Sequence, residues 1–389
     1  MKKIYFLIIV ITVCIIAGQN RHGYEYVQKE PEASEAYTVN AEETYSVSPE
    51  ETNAVSTEET YTVNAEESYI AEQQSQRKIS CWGDSMMEGY GSSEAYVITD
   101  SGTVDISYYT APMALEALTG LKTYNLGVSG ETSEEIAVRA GGITLYTDRN
   151  IYISSKKRTT AVLIDGSGQA VMMSDFSGYG SEDNDMPDTC YINGRLCRVT
   201  QVRNSQKVRI QLCDEDDGSG YMFVPKGTAV IPKAAVDHSD DIMILEMGSN
   251  GGWYGDYSLL VEQYRQIIDN SGCTDYIIVG DTDNPGESLA DVIQTQYNSD
   301  GTYVGTGDTM WEAVLREAFG EHFLNMRVYM LENGLADCGL AQTPSDAAAY
   351  EMGYISEQLR SDWTHFNSYG YYAKGMGIYL KGVELGYWQ

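Results

Sequence analysis

The sequence predicts an α/β fold with a parallel sheet that is covered by helices on both faces. Short apolar segments of strand length alternate with segments of helix length from residue 78 to residue 389. This alternation is typical of parallel sheets, because each crossover is a helix that packs against the sheet. It is interrupted once, between about residues 143 and 235, where only short strand-like segments occur. An all-β insert within the α/β domain is therefore expected.

Five segments are predicted as the parallel strands. The third is apolar throughout its centre, which favours a central position in the sheet. In chain order the segments are Lys78–Trp82, Lys122–Val128, Asp241–Met247, Asp275–Gly280 and Phe323–Leu331. The helices predicted between and after them are Ser133–Ala140, Tyr257–Asp269, Thr309–Phe319 and Asn367–Leu385.

The insert is predicted to be a small barrel or sandwich, because Gly, Asp, Asn and Ser separate its strand segments at short intervals. The segments are Thr144–Thr147, Ile151–Ile153, Thr160–Ile164, Ala170–Met172, Cys190–Ile192, Leu196–Val202, Lys207–Leu212, Tyr221–Val224 and Thr228–Ile231. Asn193-Gly194 is a strong hairpin turn signal, and it places Cys190 opposite Cys197. The distance between the Cα atoms of two residues paired in this way allows either a disulfide or two packed thiols. The α/β domain then comprises residues 77–142 and 236–389, with the insert at 143–235.

Residues 1–20 are interpreted as a secretory signal. Lys2-Lys3 precede an apolar run from Ile4 to Ile16, and the small residues Ala17-Gly18 follow it. The expected location is therefore secreted or on the cell surface. Two alternatives remain open: an uncleaved membrane anchor, and a lipid attached at Cys14.

Residues 21–76 are predicted to form a disordered acidic linker. An eight-residue unit repeats four times without a gap between Tyr37 and Ser68, and each copy carries a Glu pair and little to bury. From Tyr24 to Glu72 the net charge is −12, over a third of the formal −32 of the whole chain. A solvated spacer is the expected role, with a recognition tail as the alternative. The overall acidity argues against nucleic acid as a partner, and against an anionic membrane surface.

Ser85 is the candidate nucleophile. It follows the first predicted strand in Gly83-Asp84-Ser85 and begins a short helix, where free backbone N–H groups favour developing negative charge. A serine hydroxyl needs a base within hydrogen-bond distance and a carboxylate that orients the base. Taken as a single motif, Gly83-Asp84-Ser85 favours a helix cap at Ser85 over a nucleophile.

His365 is the candidate base, with Asp362 as its partner. Of the four histidines, His22 lies beside the signal, and His238 and His322 precede strands at the edge of the sheet opposite Ser85. His365 precedes the last helix, and Asp362 lies three residues before it, so one turn of chain can bring their side chains together. The alternative is that Asp362 caps the last helix and that His365 is a surface residue.

Gly130 and Asn250 are the candidate oxyanion donors beside the Ser85 N–H. Gly130 follows the second strand, where the missing side chain lets its N–H approach a ligand closely. Asn250 follows the third strand, which is expected to lie beside the first, and its amide can donate to the same oxyanion. Taken singly, each could instead serve a turn.

Together these segments resemble the four blocks of the SGNH hydrolases, also called GDSL-type esterases. The blocks are Gly83–Ser85, Asn125–Thr132, Gly248–Asn250 and Asp362–His365, and the resemblance covers residue 78 to the C-terminus without the insert. It implies a three-layer α/β/α, flavodoxin-like sandwich with a five-stranded parallel sheet and no metal or other cofactor. It also implies Ser85 as nucleophile, His365 as base, Asp362 as its partner, and Gly130 and Asn250 as oxyanion donors.

The chain departs from the family pattern at three places. Met86 replaces the usual Leu after the serine, and Gly251 stands where an Asp usually follows the asparagine. The insert of about 90 residues is unlike compact members, and it could cover the site and narrow the range of substrates.

The predicted substrate is a short-chain acyl ester, in the first place an acetyl ester on carbohydrate. Trp253 and Trp363 adjoin the motif residues and are predicted to contact an acylated small molecule or glycan, with core packing as the alternative. Two other functions remain open. One is a lipase or thioesterase acting on longer acyl chains, and the other is a non-catalytic glycan-binding module.

Overall fold

The computed structural model describes residues 77–99, 102–173, 189–202, 204–213, 221–286 and 307–388. The predicted signal at 1–20 and linker at 21–76 lie outside these ranges. No helix among the described residues is long and apolar enough to cross a membrane.

The described strands, in chain order, are β1 (Ile79–Gly83), β2 (Tyr96–Thr99), β3 (Gly102–Asp105), β4 (Thr123–Gly127), β5 (Leu145–Thr147), β6 (Ile151–Ile153), β7 (Thr159–Ile164), β8 (Thr189–Ile192), β9 (Arg195–Gln201), β10 (Lys207–Leu212), β11 (Met222–Val224), β12 (Ala229–Pro232), β13 (Ile242–Leu245), β14 (Tyr276–Val279) and β15 (Phe323–Leu324). The α-helices are α1 (Ser85–Glu88), α2 (Ala111–Thr119), α3 (Ser133–Arg139), α4 (Lys233–Asp237), α5 (Tyr257–Ser271), α6 (Met310–Phe319), α7 (Met326–Asp337), α8 (Pro344–Glu351) and α9 (Ser368–Glu384).

The central sheet has five parallel strands in the order β15-β14-β13-β1-β4. The first strand of the sheet therefore lies between the second and the third, which is the flavodoxin-like arrangement. In such sheets ligands bind at the carboxyl edge, where the strand order reverses between the first and third strands. The predicted fold class is confirmed.

Alternate side chains of the strands pack into two separate apolar layers. Ile79 and Cys81 face a layer built with α2, α7 and α9, whereas Trp82 faces a layer built with α3, α5 and α6. The same alternation separates Ile244 from Leu245 on β13. Because both faces are covered, the sheet is the middle layer of a three-layer sandwich.

The insert contains a closed antiparallel barrel with the strand order β10-β7-β5-β12-β8-β9, and β6 and β11 form a separate two-stranded sheet. Its core is apolar and includes Leu163, Ile192, Val208 and Ile210, all fully buried. Cys190 lies opposite Cys197 in the β8–β9 hairpin, as the turn predicts, and both are buried thiols.

One predicted strand of the sheet is mostly wrong. Only Phe323 and Leu324 form a strand, and a helix begins at Met326 within the predicted segment Phe323–Leu331. Asn325 caps this helix by accepting a hydrogen bond from the Val328 N–H at 3.1 Å. The apolar content of this segment is compatible with either a strand or a helix. The helix cap and the tertiary contacts therefore determine that most of it is helical.

A second correction concerns Ala170–Met172, which is not a strand. Ala170 forms only an isolated bridge to Ile164, because residues 165–169 make a tight turn in which the Asp165 carboxylate accepts N–H groups from Ser167 and Gln169. Besides α7, the strands β2 and β3 and the helices α2, α4 and α8 are additional to the predictions.

Candidate active site

The end of β1 turns sharply into α1 and presents Ser85. A side chain at Gly83 would approach Met87 Cβ to 2.6 Å and the Glu246 carbonyl oxygen to 2.9 Å, so the turn requires glycine there. Asp84 caps the helix, because its Oδ1 accepts the Met86 N–H at 2.9 Å. This local structure holds the Ser85 side chain at the carboxyl edge of the sheet.

Ser85, His365 and Asp362 meet at this edge. His365 Nε2 lies 2.9 Å from Ser85 Oγ. On the other side of the ring, His365 Nδ1 lies 2.9 Å from Asp362 Oδ2. The imidazole thus joins hydroxyl and carboxylate with the connectivity that an activated serine requires.

The loop that carries His365 is fixed by backbone hydrogen bonds. Asp362 Oδ1 accepts the N–H groups of Thr364 at 2.9 Å and His365 at 2.7 Å. The guanidinium of Arg360 donates to the carbonyl oxygens of Thr364 at 2.8 Å and Thr282 at 2.7 Å. The loop is therefore anchored to the end of β14 as well as to its own carboxylate.

Asp362 is held in its charged form. Partial burial acts to raise its pKa, but hydrogen bonds from the His365 N–H and ring and from the Thr364 N–H outweigh burial and lower the pKa. A charged Asp362 fixes the tautomer of His365, with the proton on Nδ1 and the lone pair of Nε2 directed at Ser85.

Two backbone donors at the site have no partner among the described residues. They are the N–H groups of Ser85 and Gly130. Gly130 has a φ of +80°, in the left-handed region that favours glycine. Both groups are available to stabilise a developing oxyanion.

Asn250 reaches the site, but its amide is already engaged. Nδ2 donates to Asp84 Oδ2 and to the Glu131 carbonyl oxygen, both at 3.1 Å. These two contacts use both hydrogens of the amide. Donation to an oxyanion remains a prediction, and it would require one of these bonds to be exchanged.

Charged side chains are buried directly beneath the site. Lys374 Nζ donates to Glu246 Oε2 at 2.5 Å and to the Met86 carbonyl oxygen at 3.0 Å, and both charged residues are nearly inaccessible. Burial, followed by the charge of Glu246, raises the pKa of Asp84 to about 7. Burial also raises the pKa of Asp281, whose Oδ1 accepts the Ser249 hydroxyl beside Asn250 at 2.6 Å.

A second buried ion pair supports the Gly130 loop. Arg139 pairs with Glu131, and their side chains are 6% and 0% exposed. Arg139 also donates to the carbonyl oxygen of Leu126 at 2.9 Å, so the loop after β4 is tied to the sheet. Neither buried pair is apparent from the charge pattern of the sequence. Lys374 and Glu246 lie far apart in the chain. Glu131 lies in the same motif as Gly130, which is the candidate oxyanion donor.

The two predicted substrate-binding tryptophans differ in outcome. Trp253 is 3% exposed, packs against Trp311 and donates its Nε1–H to the Gly248 carbonyl oxygen, so it belongs to the core and the prediction for it is wrong. Trp363 is 66% exposed beside Asp362. Tyr90 also adjoins a motif and, like the tryptophans, is a candidate for stacking on a sugar ring; its own ring lies 4.7 Å from that of His365.

Trp363 borders a cavity of about 420 Å³ next to the loop that carries His365. Its lining mixes aromatic and polar side chains and includes Asn284, Tyr354, Glu357, Arg360, Asp362 and Trp363. This volume falls in the range of small-molecule sites and exceeds what an acetyl group requires.

The other two described histidines lie elsewhere. His238 Nδ1 contacts Asp241 Oδ2 at 2.7 Å, but this buried pair precedes β13 and so lies at the amino edge of the sheet. His322 precedes β15 and stacks on Tyr276. Their positions agree with the elimination made from the sequence.

No protein-family model and no curated protein matches this chain. Among solved structures, the chain is similar to one described as "Peptidoglycan O-acetylesterase in action, 5 min", with 13% sequence identity and a TM-score of 0.27. That match covers 83% of this chain and 95% of the other. A likeness at this score says nothing about function, which must be read from the site itself.

Proposed function

We propose that this chain is a secreted or cell-surface serine esterase of the SGNH class that removes short acyl groups, in the first place acetyl groups, from carbohydrate. The observation that supports this function is the continuous contact from Ser85 Oγ through the His365 ring to the Asp362 carboxylate. The N-terminal signal pattern supports the location.

In the proposed reaction, His365 Nε2 takes the Ser85 proton as Oγ attacks the ester carbonyl carbon. The charge that develops on the carbonyl oxygen is stabilised by the N–H groups of Ser85 and Gly130. His365 then donates the proton to the departing alcohol oxygen, which leaves an acyl-enzyme. Water, deprotonated by the same imidazole, hydrolyses this intermediate and restores Ser85.

Asn250 joins the oxyanion site only after it gives up a protein acceptor. Its bond to Asp84 is the one more easily released on protonation of that carboxyl, whose pKa is raised to about 7. A third donor is worth about a hundred- to a thousand-fold in turnover.

The cavity beside Trp363 supports a carbohydrate substrate. An exposed indole provides a flat apolar face for a sugar ring, and the polar residues Asn284 and Glu357 line the same cavity. A long acyl chain would instead be matched by a wall of apolar side chains.

The proposal is tested by acetate release from a panel of acetylated glycans and from p-nitrophenyl acetate. Wild type is expected to release acetate, and Ser85→Ala to lose about four orders of magnitude or more in kcat/KM. Ser239→Ala is the matched control, since Ser239 precedes β13 at the opposite edge of the sheet and should retain full activity.

Two outcomes would replace the proposal. Activity that rises towards long p-nitrophenyl esters would indicate a lipase or thioesterase. Tight glycan binding that Ser85→Ala leaves intact, with no hydrolysis of any ester by wild type, would indicate a glycan-binding module.

A further inference from the structure

Basic residues are concentrated in the insert of this acidic protein. Eleven of the 25 Lys and Arg residues of the chain lie between residues 143 and 235, about a quarter of its length. The same segment contains eleven Asp and Glu residues, nine of which lie in 174–188 and 214–220, outside the described residues. The described surface of the barrel is therefore basic.

Four of these cations lie together on the outer face of three adjacent strands. On β10, Val208 and Ile210 point into the core, whereas Lys207 and Arg209 point outward and are exposed. Arg198 on β9 lies opposite Gln211 of β10. Arg158 immediately precedes β7, and continuing the β7–β10 register places it opposite Gln211 on the other side.

We name Arg158, Arg198, Lys207 and Arg209 the basic face. Adjacent strands are about 4.8 Å apart and alternate residues on one strand about 7 Å apart, so the four cations fall within an area roughly 10 by 14 Å. Lys156 and Lys157, both exposed, adjoin it in the turn before β7. The turn is held to β10, because Gln211 Nε2 donates to the Ser155 carbonyl oxygen.

The cations of the basic face make no ion pair and no side-chain hydrogen bond with other described residues. Some exposed cations elsewhere in the described structure pair with acids, as Lys122 with Glu116 and Arg316 with Asp308. Like charges at this spacing repel one another, so the arrangement favours a bound anion over the empty face.

We infer that the basic face binds an anionic polysaccharide. Guanidinium groups match carboxylate and phosphate oxygens with two parallel hydrogen bonds, and a polymer offers such groups repeatedly. At physiological ionic strength, charges more than about 8 Å away are largely screened, so the net charge of −32 does not prevent local binding.

The adjoining aromatic pair favours a polysaccharide over other polyanions. Tyr152 on β6 lies opposite Phe223 on β11 with ring centroids 5.1 Å apart, and both rings are exposed, which suits stacking on sugars. The choice of polysaccharide also rests on the proposed function. A second contact on the same polymer would raise the local concentration of ester groups at Ser85.

The test measures binding of the full chain carrying Ser85→Ala, so that no ester is consumed. The probes are polygalacturonate for carboxylates, wall teichoic acid for phosphodiesters, dextran as the neutral polymer and single-stranded DNA. Lys207→Gln/Arg209→Gln removes two charges of the basic face. Lys78→Gln/Lys122→Gln removes two exposed charges from the α/β unit and serves as the matched control.

We expect binding to at least one anionic polysaccharide and none to dextran. The basic-face variant should bind at least tenfold more weakly, with a shallower dependence of log K on log salt, whereas the control should match the parent. Binding to polygalacturonate would identify carboxylates as the groups that the basic face recognises, and binding to wall teichoic acid would identify phosphodiesters. Equal affinity for dextran, equal effects of the two variants, or tighter binding to DNA would overturn the inference.

Unfolding midpoints exclude misfolding, and Arg209→Lys should recover part of the affinity because it keeps the charge but loses the fork geometry. Hydrolysis of p-nitrophenyl acetate by wild type is scored separately. Binding without hydrolysis would defeat only the proposed esterase, and hydrolysis without salt-sensitive binding would defeat only the basic face.

Discussion

The α/β unit and the inserted barrel bury different kinds of side chain. In the α/β unit, charged residues such as Asp84, Glu131, Arg139, Glu246 and Lys374 are nearly inaccessible. Among the described residues of the insert, the buried polar side chains are Thr147, Ser154 and Gln201, none of them charged. The barrel instead carries its charges outward, on the basic face.

This difference indicates which residues of each unit serve function at a cost in folding stability. Burying a charge is unfavourable unless partners compensate for the lost water. Asp84, Glu246 and Lys374 lie beneath Ser85, and the pair of Glu131 with Arg139 lies beside Gly130, where these charges fix the loops of the site. The buried pair of Arg327 with Glu312 joins α6 to α7 instead. The barrel has an ordinary apolar core, so its function is expected on its surface.

The largest expected effect comes from breaking a buried pair. Lys374→Met leaves Glu246 without its cation and the Met86 carbonyl oxygen without its donor. Removing one partner of a buried ion pair costs about 3–5 kcal/mol. The free energy of unfolding, measured by denaturant titration, should fall by that amount.

Two controls separate this effect from a simple loss of a lysine. Lys374→Met/Glu246→Leu removes both charges and should be more stable than Lys374→Met alone. Lys381→Met removes a pairing with Glu384, whose side chain is 63% exposed, and keeps an apolar stem at position 381, so it should change the free energy by less than about 1 kcal/mol. Equal losses in Lys374→Met and Lys381→Met would show that the buried pair has no special role.

The barrel should respond to loss of apolar volume. Ile192 on β8 is fully buried in the barrel core, so Ile192→Ala should lower the free energy of unfolding by about 3 kcal/mol through lost burial and the remaining cavity. Hydrolysis of p-nitrophenyl acetate by the folded variant should match wild type, because Ser85, His365 and Asp362 lie outside the barrel. A large fall in kcat at full folding would show that the barrel core positions the site.

Much of this architecture follows from the sequence. Strand-length and helix-length segments fix the α/β class, and the position of Ser85, Gly130 and Asn250 after successive strands predicts their meeting at one edge. The prediction of a strand from Phe323 to Leu331 is mostly wrong, because the helix there depends on the Asn325 cap and on the buried pair of Arg327 with Glu312. Neither contact is visible in local periodicity.

The details of the site are less accessible to sequence. Histidine position alone selects His365, since the other described histidines lie at the opposite edge. Adjacency to a motif does not fix which way a ring points, and the loop at Gly251-Gly252 turns Trp253 into the core while Trp363 stays exposed. The double donation by Asn250 depends on Asp84 and Glu131, which only the folded chain brings together.

The smallest expected effect is a pH dependence that belongs to the α/β unit alone. The pKa of Asp84 rises to about 7 because burial, and then the charge of Glu246, disfavour its ionised form. In the unfolded chain, Asp84 ionises near pH 4, the ordinary value for an aspartate. The protonated carboxyl of Asp84 therefore contributes its full stabilisation below about pH 4, and this contribution is lost as the pH rises from there through 7. Asp84→Asn removes this titration while keeping the shape of the side chain.

Between pH 6 and pH 7 wild type should therefore lose up to about 1.4 kcal/mol relative to Asp84→Asn, and the difference should level off above pH 7, where Asp84 is ionised in both the folded and the unfolded state. Denaturant titrations of both proteins at pH 6, 7 and 8 measure the difference. Glu246, Lys374 and Asp281 surround Asp84 in both proteins, so their own titration largely cancels in the comparison. Parallel stability curves over this range would mean that Asp84 keeps one charge state, and that its hold on Asn250 does not change with pH.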